Sequence, residues 1–121
     1  MRNMSFSMTV EQIRNRTKTV TRRLGWKFLQ SGQLIRAVEK GMGLKKGEKT
    51  KELAILRIVS VRREQLNWIY YTDPYNELIR EGFPHMITSN FIDMFCSANK
   101  CTPESEITRI EFEYADEYNR R

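Results

Sequence analysis

A threonine- and lysine-rich segment near the N-terminus carries the residues best suited to covalent chemistry. Residues 17–23 read Thr-Lys-Thr-Val-Thr-Arg-Arg, so Lys18 precedes Thr21 by three positions. A threonine hydroxyl becomes a nucleophile when a neighbouring group removes its proton, and a neutral lysine amine can do this. Burial and the adjacent cations Arg22 and Arg23 both disfavour the ammonium form, so they would lower the pKa of Lys18. Arg23 or the nearby backbone amides can then stabilise an oxyanion.

The spacing of this pair places a condition on the backbone. Side chains three positions apart point to opposite faces of a strand, so Lys18 and Thr21 meet only if a turn or bulge lies between them. The same residues also suit a simpler role. Thr19 and Thr21 are of a type common in strands. Lys18, Arg22 and Arg23 are cations that can clamp phosphate without turnover.

Charge is distributed unevenly along the 121 residues, whose formal net charge is +6. Residues 1–63 hold 16 Lys and Arg against 4 Asp and Glu, a balance of +12. Residues 64–121 hold 5 Lys and Arg against 11 Asp and Glu, a balance of −6. Such an asymmetry can present a basic face to phosphates, as expected of a protein that binds RNA or a nucleic-acid component. The alternative reading of the charge is that the cations only keep the protein soluble.

The composition predicts one soluble domain over residues 1–121, with enough apolar material for a packed core. No apolar run approaches the roughly 18 residues of a membrane helix, and the N-terminus lacks the pattern of a signal peptide. We therefore expect a cytoplasmic protein with no membrane partner. Cys96, Cys101 and His85 supply only three potential zinc ligands, so we expect no metal and no cofactor.

The hydrophobic pattern predicts strands joined by short helices. Predicted strands cover 4–8, 34–38, 52–63 and 107–114, an extended segment covers 18–23, and predicted helices cover 10–15, 74–81 and 88–98. Asp73 and Pro74 begin the second helix, Gly82 ends it, and Tyr75 belongs to its predicted buried face. Arg109 lies on the predicted solvent face of the last strand. Because no strand–helix–strand repeat of about 30 residues is present, we predict an α+β fold, a small mixed β-barrel with short helices inserted between its strands.

A basic segment separates the two middle strands. Residues 40–51 hold three glycines, five lysines and one glutamate, a composition that cannot pack a core. We predict a mobile basic hairpin or arm whose Lys45, Lys46 and Lys49 bind phosphate. Arg36, in the strand before the arm, is a further candidate phosphate ligand.

The K-T-x-T-x-R string at 18–23, a turn with Gly32 and the strand Leu34-Ile35-Arg36 together resemble the ASCH domain family. The resemblance extends to the long strand at 52–63, to Arg80-Glu81-Gly82 after a helix, and to the helix and strand near the C-terminus. It implies a PUA-like β-barrel with a cleft that binds RNA or a nucleoside.

Bacterial N4-acetylcytidine amidohydrolases share this motif. Carried over residue by residue, the resemblance implies that Lys18, Thr21 and Glu81 are the catalytic set. It also implies an N4-acylated cytidine or a related amide as substrate, with Glu81 orienting the lysine or transferring a proton. The alternative is a non-catalytic RNA-binding module that uses the same basic cleft. In that case Glu81 is only an exposed residue at the end of a helix.

Overall fold

The structure, a computed structural model, describes residues 1–41 and 43–119. Met42, inside the predicted arm, and Arg120 and Arg121, at the end of the predicted domain, lie outside the described residues. The strands are β1 (Arg2–Ser5), β2 (Val20–Arg23), β3 (Leu34–Val38), β4 (Glu52–Gln65) and β5 (Glu106–Tyr114). The helices are α1 (Val10–Arg14), α2 (Pro74–Glu81), α3 (Thr88–Asn99) and α4 (Asp116–Asn119), with a 3-10 helix at Leu66–Tyr71. None of these helices has the length and apolar character needed to cross a bilayer.

The five strands form one curled sheet in the order β1-β3-β4-β5-β2. β1 runs parallel to β3, and the other neighbouring strands are antiparallel. β4 spans 14 residues and pairs with β3 over Glu52–Arg57 and with β5 over Leu56–Gln65. The pairing with β5 has a register shift between Ile58 and Ser60, just after the last residue that pairs with β3. The result is the predicted α+β fold, a half-barrel with short helices inserted between its strands.

Two buried apolar clusters lie on either side of residues 18–23. The first packs β1, β3, β4 and β5 against α1, and the second joins the 3-10 helix, α2 and α3 to the start of β5. Their bulky members include Met4, Phe6, Leu56 and Phe112 in the first cluster, and Leu66, Ile69, Phe91 and Phe95 in the second. Each buried side chain of this kind stabilises the folded state by roughly 1.5–3 kcal/mol relative to an exposed one. The two clusters therefore fix the positions of the elements on both sides of residues 18–23.

Helix α2 begins and ends where the sequence predicts, because both ends carry local signals. The Asp73 side chain caps its N-terminus, and Pro74 is its first residue. Gly82 ends it with a φ of 97°, and a Cβ at that position would lie 2.9 Å from Cγ of Gln12. The Gln12 side chain in turn donates to the Gly82 carbonyl at 3.0 Å. These contacts fix Glu81, the last helical residue, against α1.

Two predictions about which side chains are buried are wrong. Tyr75 is 71% exposed, whereas Glu77 and Glu81 are buried on the inner face of α2. Arg109, predicted to face solvent from β5, is 5% exposed. The reason is that α2 covers β2 and the adjacent part of β5, where carboxylates of the helix and guanidinium groups of the strands satisfy one another.

Some strand boundaries also differ from the prediction: β1 begins at Arg2, β4 continues to Gln65 and β5 begins at Glu106. β1 ends at Ser5 rather than at residue 8, because the chain turns there and the backbone N–H of Thr9 donates to the Phe6 carbonyl at 3.0 Å. The turn keeps Phe6 buried and leaves Met8 exposed. The apolar alternation of this segment therefore continues past the point where the backbone stops being a strand.

Candidate functional site

A cavity of about 210 Å³ lies between the two buried clusters. Phe6 of the first cluster and Phe91 and Phe95 of the second line it. Its polar and charged lining includes Thr9, Lys18, Thr21, Arg22, Arg23 and Glu81. Mostly apolar walls with a few convergent polar groups are typical of ligand sites, and this cavity is smaller than the roughly 300–1,000 Å³ of drug-sized sites. It therefore suits a small ligand or one end of a larger one.

Lys18 and Thr21 both line this cavity although they are three positions apart. The strand begins only at Val20, and residues 17–19 are irregular. The backbone of Thr19 is held by hydrogen bonds to α2 at 2.8 Å and to β5 at 2.9 Å. This irregular segment supplies the bend that a shared face requires, so the structure brings the predicted pair to one cavity.

Glu81 contacts Lys18 through two oxygen atoms. Nζ of Lys18 lies 2.6 Å from the backbone carbonyl oxygen of Glu81 and 3.0 Å from its Oε1. The two side chains are only 3% and 4% exposed, so the alternative of an exposed Glu81 is wrong. Burial lowers the pKa of Lys18 below its ordinary 10.5, Glu81 opposes this shift, and Arg23 and Arg22 assist it.

The hydrogen bonds of Lys18 are also compatible with a neutral amine. A neutral amine has two N–H donors and one lone pair. The two oxygen atoms of Glu81 match the two donors. The lone pair of Lys18 is then left to accept a proton.

Thr21 is 4% exposed, and its Oγ1 accepts a hydrogen bond from Nε of Arg23 at 3.0 Å. That contact leaves the hydroxyl proton available for donation. The guanidinium of Arg23 lies 4.8 Å from the centroid of the Phe6 ring, and burial lowers its pKa to about 10. Lys18 and Arg22 each form salt bridges with carboxylates of α2. Arg23 forms none with any carboxylate among the described residues. Arg23 therefore offers the cavity a cation beside the Thr21 hydroxyl.

Arg22 is paired with carboxylates on α2. Its side chain is 0% exposed and donates to Oε2 of Glu81 at 2.9 Å and to Oε1 of Glu77 at 2.6 Å. Glu77 also accepts two hydrogen bonds from Arg109, at 2.7 and 2.9 Å, and one from Arg80 at 2.9 Å. Burial raises the pKa of Glu77, but the hydrogen bonds from Arg109 and Arg22 outweigh it and hold that pKa below the ordinary 4.5. Much of the positive charge at 18–22 is thus already neutralised inside the protein.

Glu77 and Arg109 were not identified as site residues from the sequence. The available signal was spacing, because Glu77 and Glu81 are four residues apart and so share one face of α2. Two acidic residues on the inner face of a helix require cations on the element that it covers, and Arg22 and Arg109 supply them.

Four of the predicted phosphate ligands lie away from the cavity. Arg36, on β3, donates to Oε1 of Glu52 at 2.7 Å, and neither residue lines the cavity. Lys45, Lys46 and Lys49 are exposed in the loop that joins β3 to β4. The structure therefore separates the predicted residues into a cavity group and an outer basic group.

The two cysteines lie near the C-terminal end of α3. Cys96 and Cys101 are free, half-buried thiols, and burial raises the pKa of Cys96 to about 11. Within residues 1–41 and 43–119, no three His, Cys, Asp or Glu side chains are grouped as a metal ion would require.

Solved structures share this fold at low sequence identity. No protein-family model and no curated protein sequence matches the chain. The crystal structure of hypothetical protein PH0355 is 15% identical, with a TM-score of 0.62 over 94% of this chain and 99% of that one. The ASCH domain from Lactobacillus crispatus JV V101 is 14% identical, with a TM-score of 0.55 over 93% of this chain and 79% of that one. Protein EF3133 from Enterococcus faecalis V583, of family DUF984, is 15% identical, with a TM-score of 0.51 over 90% and 71%. The chain therefore has the PUA-like fold of an ASCH domain, as its sequence predicts.

Proposed function

We propose that this chain is an amidohydrolase that acts on an N4-acylated cytidine or a related amide. The observation that carries the proposal is the convergence of Lys18, Thr21 and Glu81 on one small cavity with aromatic walls. A phosphate clamp needs neither the threonine nor the acid. The substrate class rests on the resemblance of the K-T-x-T-x-R string to bacterial N4-acetylcytidine amidohydrolases.

In the first step, Oγ1 of Thr21 attacks the carbonyl carbon of the amide while the neutral amine of Lys18 takes the hydroxyl proton. A carbon–oxygen bond forms, and the carbonyl π electrons move onto the substrate oxygen. The side chain of Arg23, which donates to Thr21, stabilises that developing charge. Glu81 orients the lone pair of Lys18 by accepting its two N–H groups.

In the second step, the tetrahedral intermediate collapses and the carbon–nitrogen bond breaks. The Lys18 ammonium returns its proton to the leaving nitrogen, and the acyl group remains as an ester on Thr21. Water then attacks the ester with Lys18 again as base, which releases a carboxylic acid and restores the Thr21 hydroxyl. One water is consumed per amide cleaved, and no electrons are transferred.

The experiment is a hydrolysis screen of N4-acylated cytidines with purified protein. Thr21→Ala removes the attacking oxygen, so turnover should fall by orders of magnitude while ligand affinity changes little. Thr19→Ala is the matched control, because Thr19 lies on the same segment but does not line the cavity. Full activity in Thr21→Ala protein would refute the nucleophile assignment.

A non-catalytic RNA-binding module is the second candidate. It is favoured by the exposed Lys45, Lys46 and Lys49 and by Arg23, which has no carboxylate partner among the described residues. Under this alternative Lys18→Ala weakens RNA binding, Thr21→Ala has little effect, and no acylated cytidine is hydrolysed. Measuring RNA affinity and hydrolysis on the same variants separates the two candidates.

A further inference from the structure

A group of buried charges lies beside the Lys18–Glu81 pair, and the proposed reaction does not use most of it. Six ionisable side chains in this region are less than 10% exposed: Lys18, Arg22, Glu64, Glu77, Glu81 and Arg109. Removing an ion from water costs several kcal/mol in proteins, and apolar side chains of similar volume often stabilise such a position equally well. The presence of this group is therefore a reason to look for a role other than stability.

The contacts form a chain of alternating positive and negative groups, in which Glu81, Arg22 and Glu77 each bind at least two neighbours of opposite charge. Glu81 is shared by Lys18, at 3.0 Å from Oε1, and by Arg22, at 2.9 Å from Oε2. Arg22 is shared by Glu81 and by Glu77, whose Oε1 lies 2.6 Å from the second guanidinium nitrogen. Glu77 is in turn held by two hydrogen bonds from Arg109. Lys18 is thus connected to Glu77 through two intermediate ions.

We propose that Glu77 is a positioning residue: it takes up part of the charge of Arg22 and so leaves Glu81 available to hold Lys18. Without the Glu77 carboxylate, Arg22 would have Glu81 and Glu64 as its nearest anionic acceptors. Oε2 of Glu64 lies 3.8 Å from Arg22 and has no hydrogen-bond partner among the described residues. Glu81 would then be drawn toward Arg22, and Lys18 would lose its side-chain hydrogen bond to Glu81.

The charge sharing predicts a change in the protonation of Lys18 with a defined sign. Loss of the negative charge of Glu77 makes the surroundings more positive, which favours neutral Lys18 and lowers its pKa. Loss of the positive charge of Arg22 leaves Glu77 and Glu81 less compensated, which favours the ammonium and raises that pKa. The charged groups around this chain of contacts come from four elements: Glu77, Arg80 and Glu81 from α2, Arg22 and Arg23 from β2, Glu64 and its partner Arg62 from β4, and Arg109 and its partner Glu111 from β5.

The importance of Glu77 for turnover rests on the proposed function, but the protonation of Lys18 can be measured without any substrate. Lysine 13Cε and 1Hε chemical shifts report ionisation, and the Lys18 signal is assigned from its absence in Lys18→Arg. In Glu77→Gln the Lys18 titration midpoint should move down by about one pH unit, and in Arg22→Met it should move up by a similar amount. Arg80→Gln is the matched control, because Arg80 contacts Glu77 but not Glu81, and its midpoint should stay within about 0.3 units of the wild type.

A merely structural role would not produce opposite shifts in two variants that both remain folded by circular dichroism. An unchanged or raised midpoint in folded Glu77→Gln overturns the proposal. If Glu77→Gln does not fold, Arg22→Met decides, and an unchanged or lowered midpoint there overturns it. If the wild-type protein hydrolyses no acylated cytidine, that result counts against the proposed function. The Lys18 titration still tests the role of Glu77, because it needs no substrate.

Discussion

Glu77→Gln should destabilise the fold by about 3–5 kcal/mol. Glu77 is 2% exposed and accepts four hydrogen bonds, from Arg22, Arg80 and twice from Arg109. A hydrogen bond to a charged group contributes about 1.5–3 kcal/mol, and leaving a buried charge unpaired costs about 3–5 kcal/mol. The contribution of Arg80 is small because its side chain is 47% exposed, and the glutamine carbonyl still accepts one or two of the bonds. The loss is then a large share of the roughly 5–15 kcal/mol that stabilises a typical domain.

Urea unfolding followed by circular dichroism and tryptophan fluorescence measures this loss, together with a fall in Tm on the order of 10–20 °C. Glu113→Gln is the matched control. Glu113 pairs with Arg57 at 3.5 Å but is 58% exposed, so its loss should cost under about 1 kcal/mol.

The wild-type protein and Glu77→Gln also test how the free energy of unfolding depends on pH. Because the pKa of Glu77 is lower in the folded state than the ordinary 4.5, the unfolded state binds more protons in acid. The stabilisation by Glu77 is therefore complete above about pH 4.5 and declines as the pH falls below that value. The gap between wild type and Glu77→Gln should narrow from pH 7 to pH 3. A loss under about 1 kcal/mol, or a gap that stays constant with pH, would refute the argument.

Three further predictions concern the cavity and the basic loop. Thr21→Ala and Lys18→Ala should each lower kcat by orders of magnitude, and the double variant should be little worse than either, since additive losses would mean that the two residues act separately. Turnover should fall on the acid side of a limb whose apparent pKa lies below 10.5, because Lys18 must lose its proton to act as base; a limb with an apparent pKa of 10.5 or above would contradict this. Replacing Lys45, Lys46 and Lys49 together by alanine should weaken RNA binding and reduce the log–log salt slope by about 2, whereas Lys100→Ala, outside the loop, should leave the slope unchanged. An unchanged slope in the triple variant would remove the loop from the RNA interface.

Elements with strong local signals could be predicted almost to the residue. Helix α2 has its cap, its proline and its terminal glycine within the helix or next to it, and four of the five residues of β3 are apolar. For the bend before Val20, the sequence indicates only that it is needed if Lys18 and Thr21 are to meet. The bend depends on hydrogen bonds from Thr19 to two elements distant in sequence, and the pattern of residues 17–23 does not contain them.

The charged interior could not be predicted for the same reason. The pairs that build it join residues separated by 32 to 63 positions, so they exist only once α2 lies on β2 and β5. The alternation of apolar and polar residues along β5 places Arg109 on the solvent face, and most charged residues of proteins do lie there. Glu81 was identified through the resemblance to a family, and the spacing of Glu77 from Glu81 was the one local clue to the rest.

The uneven charge of the sequence has a partly internal explanation. Cations of residues 1–63 pair with carboxylates of residues 64–121, as in Lys18–Glu81, Arg22–Glu77, Arg57–Glu113 and Arg63–Glu106. Part of the positive charge that predicts a basic face is therefore neutralised by ion pairs between the two halves of the chain. Of the three cations at 18–23, Arg23 is the one without a carboxylate partner among the described residues.

The cavity offers the guanidinium of Arg23, which has no carboxylate partner among the described residues, and the buried amine of Lys18. These two groups give it little attraction for the several charges of a phosphate backbone. It suits a neutral amide whose reaction develops a single negative charge on oxygen, because Arg23 can stabilise that charge as it forms. The pairing of Lys18 and Arg22 with carboxylates thus weakens the phosphate clamp at 18–23 and favours the hydrolase. By the same reasoning, any RNA contact is expected on the exposed lysines of the loop between β3 and β4.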